Sequence, residues 1–195
     1  MERRSSITEI ADQVRPEEID LGDKTSPDGA VTILFSDIEG STQLVDRLGD
    51  ERWFELLRAH NEIVRRNLKA CDGNEVKAQG DGFMLAFPSS RAALRCAIGI
   101  QRDLEAARDA NPDWPIRVRI GLHSGFMIAD SDDFFGKNVI LAARIADRAR
   151  GGEILVSSTL KEYAEGDRSL RFLSGQQLSL KGLTGEYVVH PVAWD

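Results

Sequence analysis

The run Val31-Thr32-Ile33-Leu34-Phe35-Ser36-Asp37-Ile38, followed at once by Glu39-Gly40-Ser41-Thr42, constrains this chain more than any other stretch. Apolar β-formers with no charge among them predict a buried strand, and the Gly-Ser-Thr turn opens a helical pattern. Asp37 then sits at the carboxyl end of a rigid core strand. Just beyond it, the amides of Gly40, Ser41 and Thr42 occupy a helix N-terminus, where oriented N–H groups favour an anion. A carboxylate beside an anion-binding turn is reconciled by a cation between them. The stretch reads as a site for metal-bound phosphates.

A second stretch completes it. Glu75-Val76-Lys77-Ala78-Gln79-Gly80-Asp81-Gly82-Phe83-Met84-Leu85-Ala86-Phe87 holds two short strand patterns around a tight Gly-Asp-Gly turn, a strong hairpin signal. Asp81 stands at the tip. Alone it fits a plain turn residue, because Asp-Gly favours turns. If the hairpin lies beside the first strand, Asp37 and Asp81 meet at one end of a sheet, and two carboxylates that close repel unless divalent ions neutralise them.

The 195 residues suit one domain with a substantial core. Lys and Arg number 25 against 32 Asp and Glu, a formal charge of −7. That balance argues against nonspecific binding to nucleic acid or to an anionic membrane. Cys71 and Cys96 are distant in sequence and form no CxxC pair, as expected of reduced thiols. No stretch approaches the roughly 18 apolar residues of a membrane helix, and no signal-peptide core opens the chain. A soluble, cytoplasmic protein is expected.

Residues 1–29 are polar and read as a mobile N-terminal arm or linker, with docking on the domain as the alternative; Ile7, Ile10, Ala11 and Val14 form a short amphipathic turn or two before Pro16. Residues 30–195 form the domain proper. Ser41 or Thr42 is expected to cap a short helix, followed by a longer one over about 51–70 and another opened by Ser89 or Ser90 and ending before Asn111. Ile116–His123 alternates arginine with apolar residues and is expected to turn at Ser124-Gly125 into a second hairpin. A helix over about 137–150, a strand at 153–156, a helix near 158–164 and strands near 169–179 and 186–193 follow. The order βααββαββα predicts an α+β fold, a ferredoxin-like split βαβ sheet with additional strands and helices.

FSDIEGST, KAQGDGFMLAF, RIGLHSG, DFFG and AARI occur here in that order, and together they resemble the catalytic domain of a class III nucleotidyl cyclase of the bacterial adenylate cyclase type. The similarity runs from about Val31 to the C-terminus. It implies attack of a ribose 3′-hydroxyl on the α-phosphorus of ATP, helped by two divalent cations about 3.5–4 Å apart. Asp37 and Asp81 are the candidate ligands, with the Ile38 carbonyl a further oxygen. Such donors suit Mg²⁺ or Mn²⁺ and fit zinc poorly. His60, His123 and His190 show no ligand spacing and read as structural.

For the base, Lys77 can donate to adenine N1 and Asp133 can accept from the 6-amino group, the roles the resemblance gives them. Spacing alone leaves Asp132 open beside Asp133. Guanine reverses both edges, at about 1–3 kcal/mol per unpaired group. The resemblance further assigns Arg144 to the transition state, Lys181 to the terminal phosphates and Arg119 to pyrophosphate, although Arg119 also fits a solvated strand face. It also implies a head-to-tail homodimer with two composite sites. One position departs. Where the family carries Asn four residues before the arginine, this chain has Ile140, and Asn138 lies about 200° around the helix from it. A slow cyclase is expected. A degenerate nucleotide-binding regulatory domain is the second reading, and a guanylate cyclase, disfavoured by Lys77 and Asp133, the third.

Overall fold

The computed structural model describes residues 5–14, 30–126 and 132–195, with backbone only for 132–135. The elements in chain order are α1 (Ser6–Gln13), β1 (Ala30–Ile38), α2 (Ser41–Leu48), α3 (Asp50–Ala70), β2 (Asn74–Gln79), β3 (Gly82–Phe87), α4 (Ser90–Ala110), β4 (Val118–Phe126), α5 (Asp132–Arg148), β5 (Ile154–Ser157), α6 (Ser158–Ala164), β6 (Arg171–Phe172), β7 (Gln176–Ser179) and β8 (Glu186–Ala193). They build one mixed sheet in the order β2-β3-β1-β4-β5-β8-β6, with β7 also on β8. β1 lies antiparallel between β3 and β4, and β4 runs parallel to β5. The α+β split βαβ arrangement is therefore present, extended by β5–β8.

β1 is central because every one of its nine residues is buried. Its side chains alternate between two apolar layers, as a strand requires. Leu34 and Ile38 join Phe83, Leu85 and Phe87 of β3 under α3 and α4. Val31, Ile33 and Phe35 face the other way, with Met84 and Ala86, under α5 and α1.

α5 approaches the sheet unusually closely. A Cβ on Gly121 of β4 would stand 2.2 Å from the Ala146 backbone nitrogen, so strand and helix meet backbone to backbone. Ala142, Ala143 and Ala146 make the helix face flat enough for that contact. This packing fixes where Arg144 and Asp147 can reach.

Four expectations need correction. Ser124-Gly125 is not a turn: β4 runs unbroken through it and pairs with β1 along its whole length. Gly125 is required instead by proximity, since a Cβ there would lie 2.5 Å from Asn138 Nδ2. α2 is capped by Gly40 in the left-handed region (φ 66°), with no side-chain cap from Ser41 or Thr42. α5 begins at Asp132, about a turn earlier than the pattern indicated. Finally, residues 5–14 are no free arm. An eight-residue helix is marginal alone, but Ser5 caps α1 and Ile7 and Ile10 are fully buried against β1, β3 and α5. Residues 15–29 lie outside the described residues.

Cys71 and Cys96, remote in sequence, stand side by side where α3 ends against α4, and both are free thiols. Burial raises both, Cys96 beyond the usual thiol range. They are poor nucleophiles there.

Candidate active site

The hairpin lies beside the first strand, and the strand end and the hairpin tip meet. Asp37, the penultimate residue of β1, and Asp81, in the two-residue β2–β3 turn beside Gly80 (φ 61°), are both buried. Their carboxylates lie within hydrogen-bonding reach of each other. Asp81 Oδ2 accepts from the Ile38 amide at 3.2 Å, which ties the hairpin tip to the strand end. Burial first, then the Asp81 carboxylate, pushes the Asp37 pKa up to about 8 from 3.8, against the pull of a guanidinium. That guanidinium is Arg119, opposite Asp37 in the β1–β4 register, with Nη2 2.6 Å from Asp37 Oδ2.

Arg119 links this pair to α5. Its Nη2 lies 3.8 Å from Asp147 Oδ1, and Asp147 Oδ2 accepts from Arg144 Nη1 at 3.2 Å. A chain of alternating acidic and basic groups, the charge chain, thus runs from Asp37 through Arg119 and Asp147 to Arg144. Three buried polar atoms along it have no hydrogen-bond partner: Asp37 Oδ1, Arg119 Nε and Arg144 Nε. Buried polar groups are rarely left so. An acceptor beside a second carboxylate is satisfied by a shared proton or a cation; unpaired guanidinium donors suit an anion.

The donors present fit a hard divalent cation. Among the described residues no cluster of three or more His, Cys, Asp or Glu gathers. Two carboxylates and a backbone carbonyl are what Mg²⁺ or Mn²⁺ uses when substrate phosphates and waters complete the shell. The histidines are placed otherwise. His60, buried against Phe83, is held neutral, its pKa lowered by burial to about 4. His123 is bonded through Nδ1 to Ser157 Oγ at 2.8 Å and through Nε2 to Asn138 Oδ1 at 3.1 Å. His190 lies beside Ser158 Oγ.

Not every candidate comes together in one chain. Gly40 and Thr42 are exposed and Ser41 half-buried at the α2 N-terminus, next to the end of β1. Lys77 is half-buried on β2, at a register shift in the β2–β3 ladder. Lys181 is exposed in the β7–β8 turn, at the far side of the sheet. Asp133 falls in the first turn of α5, and its side chain, like that of Asp132, lies outside the described residues. Ile140 is half-buried on α5, and Asn138 Nδ2 donates to the Phe126 carbonyl while its oxygen holds His123. Asn138 is committed elsewhere.

Sequence reasoning missed Asp147 and the hydroxyls of α1. Asp147 stands three residues after Arg144 on one helix face, a spacing that announces an ion pair. Nothing local signals that Ser6 donates to Asp81 Oδ1 at 2.9 Å or that Thr8 Oγ1 accepts from Arg144 Nη1 at 3.0 Å.

Comparison with known proteins bears on this geometry. Residues 24–192 match the model of the adenylate and guanylate cyclase catalytic domain. The chain is 32% identical over 169 residues to an adenylate cyclase of Mycosarcoma maydis, covering 72% of this chain and 6% of that protein. It is 29% identical over 163 residues to a putative adenylate cyclase 3 of Rhizobium meliloti, covering 83% and 27%. The chain thus spans a small part of the relatives it matches. Its fold superposes on the crystal structure of the adenylyl cyclase CyaB from P. aeruginosa with a TM-score of 0.74 at 22% identity, covering 84% of this chain and 93% of that one. The family match, together with a paired-aspartate strand end on this fold, identifies the chain as a member of the class III adenylate and guanylate cyclase catalytic-domain family.

Proposed function

We propose that this cyclase domain converts ATP to 3′,5′-cyclic AMP and pyrophosphate, at a site completed by a second copy of the chain arranged head to tail. The observation that carries the reading is the buried Asp37–Asp81 pair, whose Asp37 Oδ1 lacks a donor. Asp37, Asp81 and the Ile38 carbonyl would hold two Mg²⁺ or Mn²⁺ ions. Bound there, the ions supply charge neutralisation at the α-phosphate and a more acidic ribose 3′-hydroxyl.

The chain's own groups do the rest. The amides at the α2 N-terminus receive phosphate oxygens. Arg144 donates to the oxygens on which charge builds as the 3′-oxygen closes on phosphorus, and Lys181 and Arg119 neutralise the departing pyrophosphate. A cation held at Asp37 would free Arg119 for this. Lys77 donates to adenine N1, and Asp133 accepts from the 6-amino group. Guanine would set donor against ammonium and acceptor against carboxylate.

The two-chain arrangement has its own support. Lys77 on β2 and Lys181 beside β8 are separated by β3, β1, β4 and β5. Five strand spacings amount to about 24 Å, so the base-reading and phosphate-reading lysines stand towards opposite edges of one sheet. A partner turned head to tail would bring the two edges together. No helix among the described residues is long and apolar enough to cross a membrane.

Conversion of ATP and GTP with Mn²⁺, measured for the chain and for Asp81→Ala, tests the reaction; cyclic AMP from the chain and none from the variant is expected. Mixing Asp37→Ala with Arg144→Ala chains tests sharing. Recovered activity is expected, and a dead mixture of folded chains would sink the composite site. Ile140 favours a second reading, a nucleotide-binding regulatory domain with little turnover, which measurable binding without cyclisation would establish.

A further inference from the structure

The least anticipated element lies across the candidate site. α1 is anchored by Ile7 and Ile10, both fully buried against Phe35, Met84 and the alanine face of α5. The side chains of Ser5, Ser6, Thr8 and Glu9 reach groups along the charge chain or beside the hairpin tip. Ser6 Oγ donates to Asp81 Oδ1 at 2.9 Å. Thr8 Oγ1 accepts from Arg144 Nη1 at 3.0 Å. Ser5 Oγ donates to Asp147 Oδ1 at 2.9 Å, and Glu9 Oε2 accepts from Gln79 Nε2 at 3.0 Å.

The chemistry of these contacts is that of a substitute ligand. A donor hydroxyl at Asp81 does for that carboxylate what a cation would. An acceptor hydroxyl at Arg144 stands where a phosphate oxygen would. α1 also rests on bare backbone: a Cβ on Gly82 would lie 2.7 Å from Ser6 Cβ and 3.2 Å from Ile10 Cδ1. The helix fills the space above the hairpin tip next to Asp81.

We propose that α1 is an autoinhibitory strap that occupies the catalytic face, and that metal and nucleotide bind productively only after displacing it. This rests on the reading of Asp81 and Arg144 as nucleotide-handling groups given above. The strap makes the cyclase self-limiting. Substrate binding has to overcome a docked helix, so whatever holds residues 5–14 off the sheet raises activity at low substrate.

The test uses the full chain. Hydrogen exchange of the 6–13 amides is measured with and without saturating Mn²⁺ and a non-cyclisable ATP analogue. At least tenfold faster exchange in the complex is expected; unchanged protection with nucleotide bound overturns the strap. In parallel, Ile7→Asp/Ile10→Asp is compared with the unaltered chain at substrate well below KM. A rise of fivefold or more, chiefly through KM, is expected; where the unaltered chain cyclises ATP, equal or lower turnover in a variant with an intact far-ultraviolet spectrum overturns the proposal. Should that variant not fold, Ser6→Ala/Thr8→Val keeps both isoleucine anchors and removes two contacts; a rise of about twofold supports the strap and none refutes it. The two readings fail separately. If neither chain cyclises ATP but the variant binds Mn²⁺ and the analogue more tightly, the strap stands and the cyclase reading falls. If the unaltered chain cyclises ATP and no variant exceeds it, the strap falls alone. If neither chain binds nucleotide, both fall.

Discussion

The metal-free protein is expected to lose stability as pH rises from 6.5 to 8. Burial and the neighbouring Asp81 carboxylate push the Asp37 pKa up to about 8 in the folded state, against the usual 3.8. Between those values the native state holds a proton that the unfolded chain has released. The unfolded state therefore binds fewer protons, and stability falls with rising pH at up to about 1.4 kcal/mol per unit. The contribution is full below 3.8 and gone above about 8, the reverse of a salt-bridged carboxylate. The buried histidines confine the useful window. His60, lowered to about 4, binds its proton mainly when unfolded, so it makes stability rise with pH up to about 6.5 and adds no slope beyond. Over 6.5–8 Asp37 dominates, and the loss is about 2 kcal/mol. For a chain of this size that is roughly 4–8 °C in Tm. Thermal melts with a chelator, every half unit of pH, read it directly. Asp37→Asn should flatten the slope. A melting temperature that holds or climbs between 6.5 and 8 would show that Asp37 is ionised in the apo fold and that the paired-carboxylate argument fails.

Other outcomes follow from particular contacts. Ile140→Asn restores a donor that can orient the ribose, and kcat should rise by roughly 30- to 150-fold if that donor is worth about 2–3 kcal/mol; no change would show that Asn has no role at this position. Gly121→Ala drives a Cβ into the Ala146 backbone, so α5 must shift; a loss of about 1–3 kcal/mol by urea denaturation, with a drop in turnover as Arg144 moves, is expected. Lys77→Glu should erode the preference for ATP over GTP by at least about fivefold, measured as a ratio of kcat/KM values. An unaltered ratio would place Lys77 outside base recognition.

What the sequence made legible was what is encoded locally. An uncharged β-rich run announced β1 and put Asp37 at its end, and Gly-Asp-Gly announced the β2–β3 turn with Asp81 at its tip. Ser89 capped α4 as read. Where the pattern misled, a long-range contact had chosen the residue. Ser124-Gly125 resembles a turn, yet Gly125 is small because Asn138 lies against it, and Gly121 is small because α5 does. Asp147 and Arg119 become meaningful only when β4 and α5 are brought into contact, across 28 residues of chain. The docking of α1 likewise depends on a bare patch at Gly82 that its own sequence does not specify.

The Asp37–Arg119 pair has one more consequence. A site that supplies its own counterion is nearly balanced electrically while empty, so a bare divalent ion must evict a guanidinium from a 2.6 Å contact, with only Asp147, 3.8 Å away and already paired with Arg144, to receive it. A triphosphate changes that exchange, because its oxygens give the released arginine somewhere to go. Cation and nucleotide should accordingly arrive as one complex. Free Mg²⁺ or Mn²⁺ then gains little foothold in the resting protein.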